Sequence, residues 1–115
     1  MAVRKGIAIW AKDRASRFPA KPVETLTGTR VITAAEMEQY QIFLFDPGGA
    51  GRNLDLPAEE ISQGAVLMIS NRADAAEVLT IRNDAGGTIT TPTQNEAAIV
   101  WCDGTSWCGL TGAQS

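Results

Sequence analysis

The fold of this chain follows from three apolar runs: Gly64-Ala-Val-Leu-Met-Ile-Ser-Asn71, Val78-Leu-Thr-Ile-Arg-Asn-Asp-Ala-Gly-Gly-Thr-Ile-Thr-Thr91 and Ala98-Ile-Val-Trp-Cys-Asp-Gly-Thr-Ser-Trp-Cys-Gly-Leu110. The runs are rich in Val, Ile and Thr, and clusters of Asn, Asp and Gly separate them. β-Branched residues suit a pleated sheet and the clusters suit tight turns, so the stretch predicts consecutive strands and hairpins. We expect an all-β fold, a mostly antiparallel sandwich or small barrel, with one or two short helices and an extended N-terminal arm.

The strongest strand is predicted over residues 65–70, and its continuous apolar character predicts that both of its faces are covered. Gln41-Ile-Phe-Leu-Phe45 is a second predicted strand, because the run is short and a Pro-Gly-Gly turn follows it. Leu54-Asp-Leu56 alternates and predicts a brief strand. Residues 57–64 begin with Pro, continue with acids and end with Gly, which predicts a single helical turn.

A helix start is visible at Thr33-Ala-Ala-Glu36, which matches a capping box. It predicts about two turns of helix from Ala34 to Tyr40; a turn between two strands is the alternative. A short strand is predicted just before it, within residues 27–32.

The last hairpin turns at Asp103-Gly104. A four-residue loop would pair Cys102 with Trp107, whereas a three-residue loop would pair Trp101 with Trp107. In neither register does Cys102 face Cys108, so we expect free thiols; a disulfide, the alternative, would need a wider loop or a bulge.

Charge divides the chain into two regions. Residues 1–30 carry seven basic and two acidic side chains, and residues 31–115 carry three basic and eleven acidic ones, so the net charges of +5 and −8 give the overall −3. We predict an extended basic arm over residues 1–30 and a β-sandwich or barrel domain over residues 31–115. A basic arm on an acidic body indicates contact with an acidic surface, with a solubilising tail as the alternative.

Two groups of side chains are candidates for binding. The arm mixes basic groups with large apolar ones, which a purely solvating tail rarely contains. Its candidate partner-binding residues are Arg4, Lys5, Ile7, Ile9, Trp10, Lys12, Arg14, Arg17 and Phe18. The candidate core or subunit-interface aromatics are Phe43, Phe45, Trp101 and Trp107.

No group of residues indicates catalysis. The chain has no histidine, which removes the common nucleophile systems and the commonest metal ligand. Two cysteines alone do not complete a structural zinc site. The glycine-rich residues 46–53 lack the spacing of a phosphate-binding loop. We expect no enzyme, no catalytic residue, no cofactor and no metal site.

Membranes and nucleic acids are not expected partners. No apolar run approaches the ~18 residues that span a bilayer. The basic arm is suited to phosphate contacts, but the acidic body would repel a polyanion.

Several short motifs occur in a suggestive order: Ile32-Thr-Ala-Ala-Glu36, Ile42-Phe-Leu-Phe-Asp-Pro-Gly-Gly49, Leu54-Asp-Leu-Pro57, Ile69-Ser-Asn71, Leu79-Thr-Ile-Arg-Asn-Asp84 and Cys102-Asp-Gly-Thr-Ser-Trp107. Together they resemble a small β-domain of tailed-phage virion proteins, found in capsid decoration (cement) proteins, head fibres and tail fibres. The resemblance covers roughly residues 31–110. It implies a compact β-sandwich or barrel that often assembles as a trimer.

The resemblance implies a structural role in a bacteriophage virion. The chain has no shaft repeats, so among these roles the resemblance favours a capsid decoration protein. Such a protein would bind the outer capsid surface as an oligomer and stabilise the shell, with the arm contacting neighbouring subunits. The expected partners are the major capsid protein and further copies of the chain, as a homotrimer. The expected location is the outer capsid surface of the virion, after synthesis in the host cytoplasm. A head-fibre, tail-fibre or tail-tip component, structural or glycan-binding, is the alternative.

Overall fold

The computed structural model describes residues 17–115, which contain nine strands, one α-helix and one 3-10 helix. The strands are β1 (Glu24–Thr25), β2 (Arg30–Val31), β3 (Ile42–Asp46), β4 (Arg52–Asp55), β5 (Val66–Asn71), β6 (Leu79–Arg82), β7 (Thr88–Thr90), β8 (Glu96–Cys102) and β9 (Trp107–Ala113). The α-helix, α1, covers Ala34–Gln39, and the 3-10 helix covers Glu59–Ile61. Neither helix has the length or apolar content that crossing a membrane requires.

The strands form two mixed sheets. The first has the order β1-β3-β5-β8-β9 and the second the order β2-β4-β6-β7. From β1 to β6 the chain crosses to the other sheet after every strand. Each return crossing restores the original direction, so the neighbours β1–β3, β3–β5, β2–β4 and β4–β6 are parallel. The pairs β5–β8, β6–β7 and β8–β9 are antiparallel.

Two parts of the fold prediction are wrong. The sheets are not mostly antiparallel, since four of the seven strand pairings in residues 17–115 are parallel. Composition and periodicity mark a strand but not its direction, which the crossings between the sheets decide. The barrel alternative is also wrong for this part of the chain, because each sheet ends in two edge strands. The predicted β-rich class with short helices is confirmed.

One apolar cluster joins the two sheets. Phe43 and Phe45 of β3 stack with ring centroids 6.1 Å apart, and both are almost completely buried. Leu54 of β4 and Ile81 of β6 contribute from the second sheet. The remaining members are Leu26, Ile32, Leu56, Leu67, Ile69, Leu79, Ala98, Val100, Cys102 and Trp107. A single cluster of this kind is the core of one folded unit.

Two local predictions are confirmed. Thr33 accepts a hydrogen bond from the Glu36 N–H at 3.1 Å, and the Glu36 carboxylate accepts from the Thr33 N–H at 3.0 Å, which completes the capping box of α1. The last hairpin has the four-residue loop, with Cys102 opposite Trp107 and Trp101 opposite Cys108. Both cysteines are free.

The predicted cover on both faces of the strongest strand is wrong for residues 17–115. In β5, Leu67, Ile69 and Asn71 are buried, whereas Val66 is 41% exposed and Met68 is half-buried. The core takes only one face of the strand. Its other face is apolar without being covered by the rest of the described chain.

Candidate functional site

The outer face of the first sheet is the most distinctive surface of residues 17–115. Residues that pair across a sheet share a face, so the register defines its rows. One row runs Ile42, Met68, Ile99, Leu110 and another runs Val66, Trp101, Cys108. We call the seven large side chains Ile42, Leu44, Val66, Met68, Ile99, Trp101 and Leu110 the apolar face.

Four members of the apolar face are strongly exposed. Leu110 is 67% exposed, Ile99 47%, Val66 41% and Trp101 37%. The outward positions between them are small or uncharged: Ser70, Ala97, Cys108 and Gly112. A contiguous exposed apolar surface is a candidate site for contact with a partner.

An open depression of about 380 Å³ lies on this face. Met68, Ile99 and Leu110 border it, together with the small residues Ala97 and Gly112. A row of large side chains therefore lies beside a row of small ones, and the step between the two rows leaves space for an apolar side chain of a partner.

The structure separates the four predicted aromatics. Phe43, Phe45 and Trp107 lie in the core, and the Trp107 indole N–H donates to the Pro57 carbonyl oxygen at 2.8 Å. Trp101 lies on the apolar face instead. The other six members were not among the predicted site residues. A signal in the sequence could have found them. The side chains on both faces of β5 are mostly apolar, whereas the core of a single folded unit covers only one face of such a strand.

Most of the predicted binding residues of the arm lie outside the described residues. These are Arg4, Lys5, Ile7, Ile9, Trp10, Lys12 and Arg14. Arg17 is exposed, and Phe18 is 47% exposed.

The folded body receives contacts from residues that precede Val31. The Pro19 carbonyl oxygen accepts hydrogen bonds from the N–H groups of Gln41 and Ile42. Strand β1 pairs with β3, and Leu26 is only 3% exposed. An experiment that removes the arm without disturbing the body must therefore stop before Pro19.

Arg30 forms the main charged cluster of the body. Its guanidinium bonds the carboxylate of Glu24 at 2.8 and 3.0 Å and lies 5.5 Å from the ring centre of Phe45. It also bonds Glu36. The hydrogen bonds from Arg30 lower the pKa of Glu36 to about 2 and also lower the pKa of Glu24. The cluster ties β1, β2 and α1 together, which is a structural role.

The carboxylate of Asp103 also has a structural role. Its Oδ1 accepts hydrogen bonds from the N–H groups of Thr105 and Ser106 at 2.8 and 2.7 Å, which lowers its pKa. This is the turn-forming role that the sequence predicts for an Asp in a hairpin.

Comparisons with protein-family models, with curated proteins and with solved structures give no match for this chain.

Proposed function

We propose that this chain is a structural protein of a tailed-phage virion, a capsid decoration protein whose β-sandwich body self-associates and whose N-terminal arm binds the shell. The observation that carries the proposal is the apolar face. It supports a protein that works by contact with other subunits. The motif order supports the choice of the virion as the setting.

The absence of charged side chains on the apolar face supports self-association. Its outward positions carry no charge until Asp46 at the end of β3. An uncharged face matches a second copy of itself without placing like charges against each other, although the chain carries a net charge of −3. Burying each large side chain contributes about 1.5–3 kcal/mol. Several of them per subunit support a trimer or another small closed oligomer.

The arm supplies the attachment. Residues 1–16 carry four basic side chains and one acidic one, whereas residues 31–115 are acidic, so an acidic seam on the capsid would attract the arm and leave the body outside. Trimerisation then links three arms. Contacts that are weak one by one give tight attachment when they are linked in this way.

The proposal is tested by adding the purified protein to undecorated capsids and measuring its mass in solution by light scattering. We expect a mass of three times the 12.2 kDa chain and saturable binding. Deletion of residues 1–16 leaves Pro19 and β1 in place, so it should preserve the oligomer and abolish capsid binding. A length-matched variant with Arg4→Ser, Lys5→Ser, Lys12→Ser and Arg14→Ser should lose most of the binding. Undiminished binding by both variants would contradict the proposed role of the arm.

A fibre or tail-tip component that binds a glycan is the second candidate, and the exposure of Trp101 favours it. An exposed indole on the open face of a sheet is a surface on which a sugar ring can stack. Trp107 is buried and Tyr40 packs edge-on against Phe43 with centroids 6.2 Å apart, so Trp101 would carry the role. Binding of the full chain to a glycan array, abolished by Trp101→Ala, would favour this candidate over decoration.

A further inference from the structure

Three carboxylates converge at one end of the first sheet. Asp46 is the last residue of β3, and Asp74 and Glu77 lie in the segment between β5 and β6. Because β3 and β5 are parallel neighbours, their C-terminal ends lie side by side at the same end of the sheet. One oxygen from each of the three carboxylates lies within 4.8 Å of the others.

The described residues do not neutralise this cluster. The ion pairs within residues 17–115 involve other acids, namely Glu24, Glu36 and Asp55. Arg52 donates instead to the main-chain carbonyl oxygens of Pro47 and Gly48, at 2.8 and 3.4 Å. The cluster therefore concentrates negative charge without a cation from this part of the chain.

Glu77 is the observation that points to a ligand. Its side chain is buried, and its Oε1 atom has no hydrogen-bond donor among the described residues. Burying a carboxylate oxygen is costly unless a donor or a cation compensates it. A cation held between the three carboxylates would compensate this buried oxygen.

Local structure holds the three groups in place. The buried Asn71 side chain donates to the Glu77 carbonyl oxygen at 2.9 Å and accepts from the Ala73 N–H at 2.9 Å, which fixes the course of residues 71–77. Asp46 Oδ1 accepts from the Gly48 N–H at 2.9 Å. Gly48 has a φ of +77°, and a Cβ there would lie 2.4 Å from the Leu26 carbonyl oxygen, so the turn after Asp46 requires glycine.

We infer that Asp46, Asp74 and Glu77 bind one Ca²⁺ ion. All three ligands are oxygens, which hard divalent cations prefer over softer metals. Oxygen ligands of Ca²⁺ lie about 2.3–2.6 Å from the ion and therefore up to about 5 Å from one another, which the 4.8 Å limit satisfies. Asp74 is exposed, so water completes the coordination. The ion fastens the end of β3 to the segment that follows β5.

Calorimetric titration of the metal-stripped full chain with CaCl₂, and its melting temperature in EDTA and in CaCl₂, test this site. We expect one Ca²⁺ per chain and a melting temperature that rises with Ca²⁺. Glu77→Gln and Asp74→Asn should each weaken binding at least tenfold. Asp84→Asn, at an exposed acid in a turn, is the matched control and should bind like the unmodified chain.

Measurements in EDTA separate a binding defect from a folding defect. Glu77→Gln removes an uncompensated buried charge, so its melting temperature in EDTA should equal or exceed that of the unmodified chain. The inference is overturned if millimolar Ca²⁺ produces neither heat nor a shift in melting temperature. It is also overturned if Asp84→Asn weakens binding as much as Glu77→Gln.

Discussion

Arg30 and Glu36 are joined by two hydrogen bonds, from Nη1 to Oε1 at 2.8 Å and from Nη2 to Oε2 at 2.5 Å. The same Glu36 carboxylate caps the start of α1. Both side chains are less than one fifth exposed. A paired arrangement of this kind fixes orientation as well as distance, so it holds α1 against the strand β2.

Glu36→Gln should therefore lower stability in a pH-dependent way. The folded pKa of Glu36 is about 2, below its ordinary value of 4.5. The stabilisation is complete above about pH 5 and disappears as the pH falls toward 2. We expect the variant to lose about 1–2 kcal/mol of unfolding free energy at pH 7, after allowance for solvent screening. Urea unfolding at pH 7 and near pH 2 measures the difference, which should shrink at the lower pH.

Glu38→Gln is the control for this experiment. Glu38 is exposed on the same helix, and no side-chain hydrogen bond or ion pair is found for it within residues 17–115. The unfolding free energy of the Glu38→Gln variant should match that of the unmodified chain at both pH values. A loss for Glu36→Gln that is the same at pH 7 and pH 2 would contradict the ion-pair explanation.

A second prediction concerns the close approach of the two sheets at β9. A Cβ on Gly109 would lie 2.9 Å from Cγ2 of Ile89 and 3.1 Å from Cγ1 of Val100, whereas a Cβ on Gly112 in the same strand would meet nothing within 4 Å. Gly109→Ala should thus destabilise the protein by about 1–3 kcal/mol, as overpacking does. Gly112→Ala should change stability by less than about 0.5 kcal/mol. Equal effects in chemical unfolding would show that the sheets separate easily at this point.

Local features of the fold were predictable because their causes are local. The Thr33–Glu36 capping box depends on residues three apart. The turn residues at Asp103 restricted the last hairpin to two loop lengths, of which the four-residue loop is the one found. Strand direction was not predictable, because it depends on where the chain goes between strands. The parallel pairing of β3 with β5 brings Asp46 beside Asp74 and Glu77, which lie 28 and 31 residues further along the chain. For the same reason the sequence did not predict the cluster that we infer to bind Ca²⁺.

The apolar face illustrates a second limit of the sequence. When the side chains on both faces of a strand are apolar, the pattern predicts that both faces are covered. The pattern does not indicate whether the covering residues belong to the same chain. In β5 the core covers Leu67 and Ile69, and the rest of the described chain leaves Val66 exposed. The prediction of two covered faces therefore fails for residues 17–115, and cover of the outer face by another subunit is part of the proposed function.

The third prediction concerns the buried Asn71. Its side chain is the partner of three main-chain groups: the carbonyl oxygens of Glu77 and Pro92 and the N–H of Ala73. Asn71→Leu would leave these groups buried without partners, which costs about 1–3 kcal/mol for each group that water cannot reach. We expect a large loss of unfolding free energy. Ser70→Ala, at the adjacent position on the outer face, should be close to neutral; a similar loss there would mean that β5 tolerates no change at all.

The fourth prediction tests the apolar face directly. Leu110 is 67% exposed on that face, and Ile61 is 62% exposed on the 3-10 helix. Leu110→Arg places a charge in the proposed subunit interface and removes a side chain whose burial contributes about 1.5–3 kcal/mol, so self-association should weaken at least about tenfold. Ile61→Arg also replaces an aliphatic side chain by arginine, at similar exposure but away from the face, and should leave the oligomer intact. Light scattering across a dilution series separates the two: Leu110→Arg should dissociate to the 12.2 kDa chain at concentrations where Ile61→Arg does not. If both variants keep the mass of the unmodified protein, the subunits do not meet through this face. If both dissociate, the interface includes the 3-10 helix and is not confined to the first sheet.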